Sequence, residues 1–254
     1  MTSLAGRTKA SADRAKAAGI EIVDDAALVA DAEMFLSVVP PSVAGEMAQR
    51  FLDLVRNAGK GPVFIDCNAI SPQTLHAISK PFLVEGLPFI DASIIGGPAK
   101  SDGSSPRLYM SGRVSGEAEI LKRLGLDARV LSDELGAASS LKMSYAGITK
   151  GFQALGASMM LGAARNGAAE SFLAELSTSQ PALYGWLQKQ IPGMYAKAYR
   201  WDGEMNEIAK FLQPEPGAVG MLEGAADLYR AIAEANSQGP DTEIISTLER
   251  FVRG

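Results

Sequence analysis

The first half of the chain alternates short apolar runs with amphipathic stretches. The seven predicted strands cover residues 2–5, 20–23, 34–39, 62–66, 88–93, 107–111 and 128–131. The run at 34–39 is apolar at almost every position, which is typical of a strand buried on both faces of a parallel sheet. Helical patterns at 42–57, 71–79 and 116–124 separate the later runs. Strands that alternate with helices at this spacing predict an α/β fold with a parallel, doubly wound, Rossmann-like sheet.

From Gly136 the pattern becomes helical throughout. A stretch about 30 residues long, ending near Gly167, carries apolar residues at alternating spacings of four and three, which predicts one long helix. Its apolar positions are Leu141, Tyr145, Ile148, Phe152, Leu155 and Met159. Further helices are predicted at 170–176, 181–190, 194–212, 218–234 and 242–252. We therefore predict a Rossmann-like domain over 1–133 and an all-helical domain over 134–254, which begins with the long interdomain helix.

Composition and charge exclude several classes of function. The 254 residues are 47% hydrophobic and 21% charged, as in globular proteins with a sizeable core. A net charge of −5 gives no support for a nucleic-acid or anionic-membrane partner. The single cysteine, Cys67, excludes an intrachain disulfide and fits a cytoplasmic protein. Together with the single histidine, His76, it cannot form a zinc site of nitrogen and sulfur ligands. No apolar run is long enough to predict a membrane span.

Several predicted strands end in small polar or turn residues. These segments are Gly6-Arg7-Thr8, Val39-Pro40-Pro41, Asp66-Cys67-Asn68 and Asp91 to Gly97. Open α/β sheets bind ligands at the carboxyl ends of their strands, so the segments predict a nucleotide site. The alternative is that such residues only form turns.

Arg7 and Thr8 bear on the choice of cofactor. An arginine just after a strand is the arrangement that holds the 2′-phosphate of NADP, although a solvated arginine at a helix start is the alternative. The chain contains no G-x-G-x-x-G motif, which normally seats the pyrophosphate at a helix N-terminus.

Lys142 is the candidate for proton transfer. It lies early in the long helix, beside the apolar positions, and Tyr145 follows one turn later on the same face. A partly desolvated lysine there could act as proton donor or acceptor, whereas the alternative is a lysine that extends its ammonium group to water. Arg200 beside Trp201 indicates either a contact to an anionic substrate or a packing anchor.

These segments, in this order, resemble the β-hydroxyacid dehydrogenases, which include 3-hydroxyisobutyrate and 6-phosphogluconate dehydrogenases. The matching segments are Arg7-Thr8, Val39-Pro40-Pro41, Asp66-x-Asn68, Asp91-Ala-x-x-x-Gly96-Gly97 and Gly136-x5-Lys142. Lys142-Met-x-Tyr145-Ala and Arg200-Trp201-x-x-Glu204-Met205 are most similar to a poorly characterised branch with its own C-terminal domain.

The resemblance implies a Rossmann domain, an all-helical domain and a homodimer formed through the helical parts. It implies that Lys142 is the acid/base and that an anionic small molecule is the substrate. The cofactor, NADP or otherwise NAD, would be bound by Arg7, Thr8, Val39, Pro40, Pro41 and Asn68. The substrate would be bound by Ser93, Gly96, Gly97, Tyr145 and Arg200. The resemblance also implies that the chain begins after the first, central strand of the family's sheet and its glycine fingerprint.

Two departures from the family pattern alter the expected substrate contacts. Ile95 stands where the family has a serine before the two glycines, and Ala146 stands where it has an asparagine. Two hypotheses follow. The first is an NADP-dependent oxidoreductase that transfers a hydride between the nicotinamide and a hydroxy acid or related carbonyl compound. The second is a truncated, non-catalytic relative that acts as a dimeric or ligand-binding protein.

Overall fold

The change from alternating to purely helical structure is confirmed in the computed structural model, which describes residues 1–4, 8–98 and 105–253. Two compact units divide the chain, Met1–Lys142 and Met143–Gly254. The division falls within the long helix, whereas the sequence pattern placed the domain boundary before it. Arg7 lies outside the described residues.

The first unit contains all the described strands. They are β1 (Thr2–Ser3), β2 (Ile22–Val23), β3 (Met34–Ser37), β4 (Val63–Asp66), β5 (Phe89–Ile95), β6 (Arg107–Ser111) and β7 (Asp127–Ser132). The accompanying helices are α1 (Lys9–Ala17), α2 (Asp25–Asp31), α3 (Ala44–Ala58), α4 (Pro72–Val84) and α5 (Glu117–Arg123), with a short 3₁₀ turn at Pro41–Val43 before α3. Ser71 caps α4 by accepting a hydrogen bond from the Thr74 N–H, as its position before Pro72 predicts.

The main sheet has five strands in the order β3-β4-β5-β6-β7. The pairs β3–β4, β4–β5 and β6–β7 are parallel, but β5 and β6 are antiparallel. The Rossmann-like parallel sheet that the sequence predicts is therefore confirmed, with this pair as its antiparallel exception. A parallel pair needs a crossover, usually a helix, and the sequence between β5 and β6 is rich in glycine, serine and proline and carries no helical pattern.

β1 and β2 form a separate, parallel two-stranded sheet. Thr2 pairs with Ile22 and Ser3 with Val23, so each strand is shorter than its apolar run predicts. Among the described residues, neither strand is hydrogen-bonded to the five-stranded sheet.

Apolar side chains cover both faces of the main sheet, as a doubly wound fold requires. One cluster joins α3 and α4 to the sheet through phenylalanine rings that contact one another, and another joins α5 to the opposite face. The contacting rings are Phe35, Phe51, Phe64, Phe82 and Phe89. Each fully buried phenylalanine contributes roughly 1.5–3 kcal/mol, so this cluster is a large part of the unit's stability.

The second unit is helical throughout its described residues. The long helix α6 (Ala137–Arg165) enters it from the first unit. It is followed by α7 (Ala169–Ser179), α8 (Pro181–Met194), α9 (Trp201–Phe211), α10 (Pro216–Gln238) and α11 (Glu243–Arg253). The helix predicted over 194–212 is instead a 3₁₀ segment, Tyr195–Arg200, followed by α9. None of the described helices is long and apolar enough to cross a membrane.

The face of α6 that packs inward is not the predicted apolar stripe. Met143, Ala146, Ala154, Ala157 and Met160 are buried. The stripe from Tyr145 to Met159 is at least half exposed in the single chain. Because α6 is apolar on both faces, a regular spacing of large side chains did not identify the buried one.

Candidate functional site

Three neighbouring parallel strands end at one edge of the sheet. The register aligns Ser37 of β3 with Asp66 of β4, and Asp66 with Asp91 of β5. The residues that follow, Val39, Asn68 and Ile94, therefore lie at the carboxyl ends of adjacent strands. This is the edge at which open α/β sheets bind their ligands.

Asn68 connects two of these strand ends. Its side-chain oxygen accepts a 2.7 Å hydrogen bond from the Val39 N–H, and its amide nitrogen donates to Ser37 Oγ at 3.1 Å. The Asn68 backbone N–H in turn donates to Asp66 Oδ1 at 2.9 Å. Asn68 is only 2% exposed, so these bonds are shielded from water. They fix the backbone where β3 enters the Pro40-Pro41 turn, as expected for a segment that supports a ligand.

Asp66 and Ser93 bring unpaired polar atoms to the same region. Asp66 Oδ2 and Ser93 Oγ are buried and have no hydrogen-bond partner among the described residues. Burial raises the pKa of Asp66 to about 6, and the nearby charge of Asp91 adds to the rise, while hydrogen bonds from Asn68 oppose it. Buried polar atoms normally have partners, so these two orphaned atoms are compatible with a ligand or ordered water at this edge.

Asp91 anchors the start of α6 to the sheet. Its carboxylate accepts hydrogen bonds from the Ser139 N–H at 2.9 Å, from Ser139 Oγ at 2.7 Å and from Ser111 Oγ at 2.9 Å. Ser111 Oγ also accepts the Ala138 N–H at 3.0 Å. Burial raises the pKa of Asp91, against the opposing effect of these hydrogen bonds. A negative carboxylate at a helix N-terminus satisfies free N–H groups and is favoured by the helix dipole.

Lys142 follows Ser139 by three residues, and its ammonium group lies against β5. Lys142 Nζ donates a 2.8 Å hydrogen bond to the backbone carbonyl of Ile94, and the side chain is partly buried. An ammonium group has three N–H donors, so this bond leaves two for a ligand. Lys142 is thereby held at the carboxyl end of β5, where it can exchange a proton with a bound oxygen atom.

The other predicted site residues are placed less tightly. Thr8 is exposed just before α1, with its hydroxyl 3.3 Å from Ser11 Oγ. Gly96 has φ +127°, and a Cβ there would lie 3.2 Å from Pro106 Cα, so glycine suits this close approach. Its neighbour Gly97 is exposed.

Tyr145 and Arg200 belong to the second unit. Tyr145 is 50% exposed, and Arg200 is an exposed residue that ends the 3₁₀ segment. The adjacent Trp201 is buried and meets Tyr229 edge to face at 5.2 Å. Trp201 therefore serves as a packing anchor within the helical unit, which is one of the two alternatives that the sequence left open.

Sequence reasoning included Asp91 only as part of the segment from Asp91 to Gly97 and assigned no role to Ser111 or Ser139, although the hydrogen bonds of these three residues position the start of α6, on which Lys142 lies. One signal was present, since an aspartate inside the apolar run of β5 needs buried partners. The partners could not be identified, because Ser139 lies 48 positions further along the chain.

Cys67 and His76 take no part in this network. Burial raises the pKa of the Cys67 thiol, and His76 Nε2 lies 3.1 Å from the Leu135 carbonyl.

Comparison with known protein families covers both halves of the chain. Residues 2–125 match the NAD binding domain of 6-phosphogluconate dehydrogenase. Residues 163–232 match a domain of unknown function, DUF1932. An uncharacterised 28.5 kDa protein from the 7S RNA 5′ region of Methanothermus fervidus is 26% identical over 235 residues, which are 92% of this chain and 89% of that protein.

Solved structures share the fold along almost the whole chain. A conserved protein of unknown function, described as structurally similar to 3-hydroxyacid dehydrogenases, is 29% identical with a TM-score of 0.64, covering 94% of this chain and 89% of that one. The 3-hydroxyisobutyrate dehydrogenase of Mycobacterium tuberculosis is 18% identical with a TM-score of 0.62, covering 95% of this chain and 87% of that one. At that identity the second similarity supports the fold alone.

Proposed function

We propose that this chain, which belongs to the β-hydroxyacid dehydrogenase family, is an NADP-dependent oxidoreductase with Lys142 as its acid/base. Its substrate is a small anionic hydroxy acid or a related carbonyl compound. The observation that carries this proposal is the bond from Lys142 Nζ to the Ile94 carbonyl, which holds the ammonium group at the carboxyl edge of the sheet. In the reductive direction the Lys142 ammonium group donates a proton to the substrate oxygen, and in the oxidative direction the neutral amine of Lys142 takes the proton from the substrate hydroxyl.

The nicotinamide side of the cofactor fits the residues at this edge. Val39, Pro40 and Pro41 would form its binding surface, with Asn68 holding their backbone in place. When bound, the cofactor supplies the hydride acceptor or donor. NADP is preferred to NAD in this proposal because Arg7, beside Thr8, would pair with a 2′-phosphate.

The substrate side of the proposal rests on the segment after β5. Ser93 carries an unpaired buried hydroxyl, while Gly96 and Gly97 leave the backbone open to a carboxylate. Tyr145 and Arg200 are the further substrate-binding residues that the family resemblance implies. Ile95, where the family has a serine, removes one polar contact, so the substrate would differ from the standard short 3-hydroxy acids.

We further propose a homodimer formed through the helical unit, in the cytoplasm. Ile148, Phe152, Leu155 and Met159 of α6 are all at least 50% exposed and share one face. A continuous apolar face of this kind is typical of a protein–protein interface.

A second candidate function is a non-catalytic relative that binds a ligand or acts only as a dimer. The exposed apolar face of α6 is the observation that supports it, because such a face serves a dimer whether or not a dinucleotide is bound. A fluorescence titration that measures NADPH binding separates the two candidates. Binding supports the enzyme, whereas no binding to the folded protein favours the second candidate.

Lys142→Met tests the catalytic assignment in protein that binds NADPH. Removal of a general acid/base lowers turnover ~100- to 10,000-fold. We expect that loss in kcat for NADP reduction over a panel of hydroxy acids, with little change in the NADPH Kd. Lys122→Met is the matched control, since Lys122 is an exposed lysine that pairs with Glu119 on α5. Wild-type turnover in Lys142→Met would contradict the role given to Lys142.

A further inference from the structure

A row of buried polar side chains crosses the main sheet where β3 and β4 end. The register pairs Ser37 with Asp66, Asp66 with Asp91, and Asp91 with Ser111. All four residues are buried. Directly paired residues point to the same face of a sheet, so the four side chains lie next to one another. Phe64, two residues before Asp66, points to this face as well and belongs to the phenylalanine cluster. The row therefore separates that apolar cluster from the carboxyl edge.

The two aspartates of this row differ in their partners. Asp91 accepts hydrogen bonds from Ser111 and from the start of α6, so donors surround its charge. Asp66 Oδ1 accepts the Asn68 N–H, whereas Asp66 Oδ2 has no hydrogen-bond partner among the described residues. Within that part of the chain, no lysine or arginine forms an ion pair with Asp66. The described protein therefore leaves the charge of Asp66 largely uncompensated.

Asp66 lies directly behind the surface to which the proposed function assigns the nicotinamide. The Asn68 N–H donates to Asp66 Oδ1 at 2.9 Å, and the Asn68 side chain accepts the Val39 N–H at 2.7 Å. Two hydrogen bonds thus connect the carboxylate to the backbone of the Val39-Pro40-Pro41 turn. The nicotinamide ring carries a positive charge in NADP⁺ and none in NADPH, so a fixed negative charge behind it distinguishes the two forms.

We infer that Asp66 selects the oxidised cofactor, because its buried negative charge favours binding of NADP⁺, with its cationic ring, over NADPH. This inference rests on the proposed function, since it requires the nicotinamide to bind at the Val39-Pro40-Pro41 turn. Water and salt screen a charge at the surface, but Asp66 is 1% exposed. At the effective dielectric constant of about 20 that describes such sites, a neighbouring unit charge changes affinity by roughly tenfold.

A purely structural role for Asp66 makes a different prediction. Asparagine would hold the Asn68 N–H equally well, because its side-chain oxygen accepts the same hydrogen bond. The negative charge is what distinguishes aspartate from asparagine, and it is also what separates NADP⁺ from NADPH. A change in the relative affinity for the two forms is therefore evidence for the charge rather than for the shape of the turn.

The charge of Asp66 depends on pH in a range that binding experiments reach. Burial raises the pKa of Asp66 to about 6, and the charge of Asp91 adds to the rise. On the surrounding elements, His76 of α4 and Lys142 of α6 are within hydrogen-bond distance of backbone carbonyls, Cys67 points to the opposite face, and the buried residues of α3 are all apolar. As pH falls through about 6, Asp66 takes up a proton and the preference for NADP⁺ should disappear. Since coupling is reciprocal, bound NADP⁺ should lower the pKa of Asp66.

Affinities for the two cofactor forms, measured by calorimetry on the whole protein, test the inference. In Asp66→Asn near neutral pH, the ratio of the NADP⁺ Kd to the NADPH Kd should rise roughly tenfold, chiefly because NADP⁺ binds more weakly. Asp53→Asn is the matched control, because it removes an exposed carboxylate from α3, and it should leave the ratio unchanged. The phosphates of the cofactor are common to both forms, so their contribution cancels in the ratio.

A pH titration of wild type tests the same charge without a substitution. Between about pH 7.5 and about pH 5, the Kd ratio should rise in wild type and stay constant in Asp66→Asn. NMR of carboxyl-labelled aspartate supplies a readout that needs no turnover. The Asp66 signal, absent from Asp66→Asn, should titrate at lower pH in the NADP⁺ complex than in the free protein.

The outcomes separate this inference from the proposed function. Binding of both forms with the same Kd ratio in wild type and Asp66→Asn would overturn the inference and leave the proposed function standing. Absence of binding of either form to the folded protein would contradict the proposed function and the inference together. If Asp66→Asn does not fold, a wild-type ratio that is independent of pH across this range overturns the inference.

Discussion

Replacing Asp66 with asparagine removes one ionisable group from the candidate site at almost constant side-chain size. Asp66 is 1% exposed, and burial is the largest cause that raises its pKa from the ordinary value of 3.8 to about 6. Asparagine keeps an oxygen that can accept the 2.9 Å hydrogen bond from the Asn68 N–H. The variant therefore tests the charge with little change in geometry.

The sign of the effect follows from proton linkage. Between pH 3.8 and about 6 the folded protein binds more protons at Asp66 than the unfolded chain does, so the free energy of unfolding falls as pH rises. A pKa difference of about two units corresponds to ~3 kcal/mol at 1.36 kcal/mol per unit. The contribution of protonated Asp66 to stability is complete below pH 3.8 and is lost as pH rises through about 6.

Urea denaturation of wild type and Asp66→Asn across this pH range measures the effect. Wild type should lose ~2 kcal/mol more than the variant between pH 3.8 and about 6, because the full ~3 kcal/mol develops only when the pH passes well beyond both pKa values. Asp91, whose pKa is also raised by burial, contributes in the same direction to both proteins, so the difference between them isolates Asp66. Asp227→Asn, at an exposed position on α10, should show the same dependence of the free energy of unfolding on pH as wild type. If Asp66→Asn showed that same dependence, the assignment of a raised pKa to Asp66 would be refuted.

Two further substitutions test the anchor of α6 and the proposed dimer. Ser139→Ala removes a buried donor to Asp91 and should lower the free energy of unfolding by ~1.5–3 kcal/mol, measured by urea denaturation. Ser140→Ala, which loses only a bond to the Gly136 carbonyl, should cost about 1 kcal/mol or less, and equal losses would contradict the anchor. Phe152→Glu places a charge on the exposed stripe and should convert a dimer into a monomer in light scattering, whereas Ser177→Glu on α7 should not. A monomeric wild-type protein would contradict the dimer.

Much of the fold could be predicted because patterns of neighbouring residues determine most of its strands and helices. The apolar run at 34–39 and the strand before Asp66 predicted β3 and β4, and helical spacing predicted α3 and α6. These elements depend on near neighbours in sequence. The exception within the sheet, antiparallel β5 and β6, also had a local cause, since no helical pattern separates them.

The parts that could not be predicted depend on residues distant in sequence. α4 continues through Pro81 to Val84, because Phe82 packs into the core between Phe64 and Phe89. Burial of that ring outweighs the cost of a proline near the end of the helix. Similarly, which face of α6 is buried depends on the helices that pack against it, and those lie far along the chain.

The position of Lys142 is the clearest case in which a local pattern and a distant contact must be combined. The sequence placed it on α6, but its site is set by two contacts to β5, from Ser139 to Asp91 and from Lys142 to the Ile94 carbonyl. The second contact gives Lys142 a structural role as well as the proposed catalytic one. A charged donor on a neutral, partly exposed acceptor contributes ~1.5–3 kcal/mol at most, so Lys142→Met should lower stability modestly. Loss of proton transfer would lower turnover by two to four orders of magnitude, as estimated above. The two roles therefore differ enough for unfolding and turnover, measured on the same variant, to separate them.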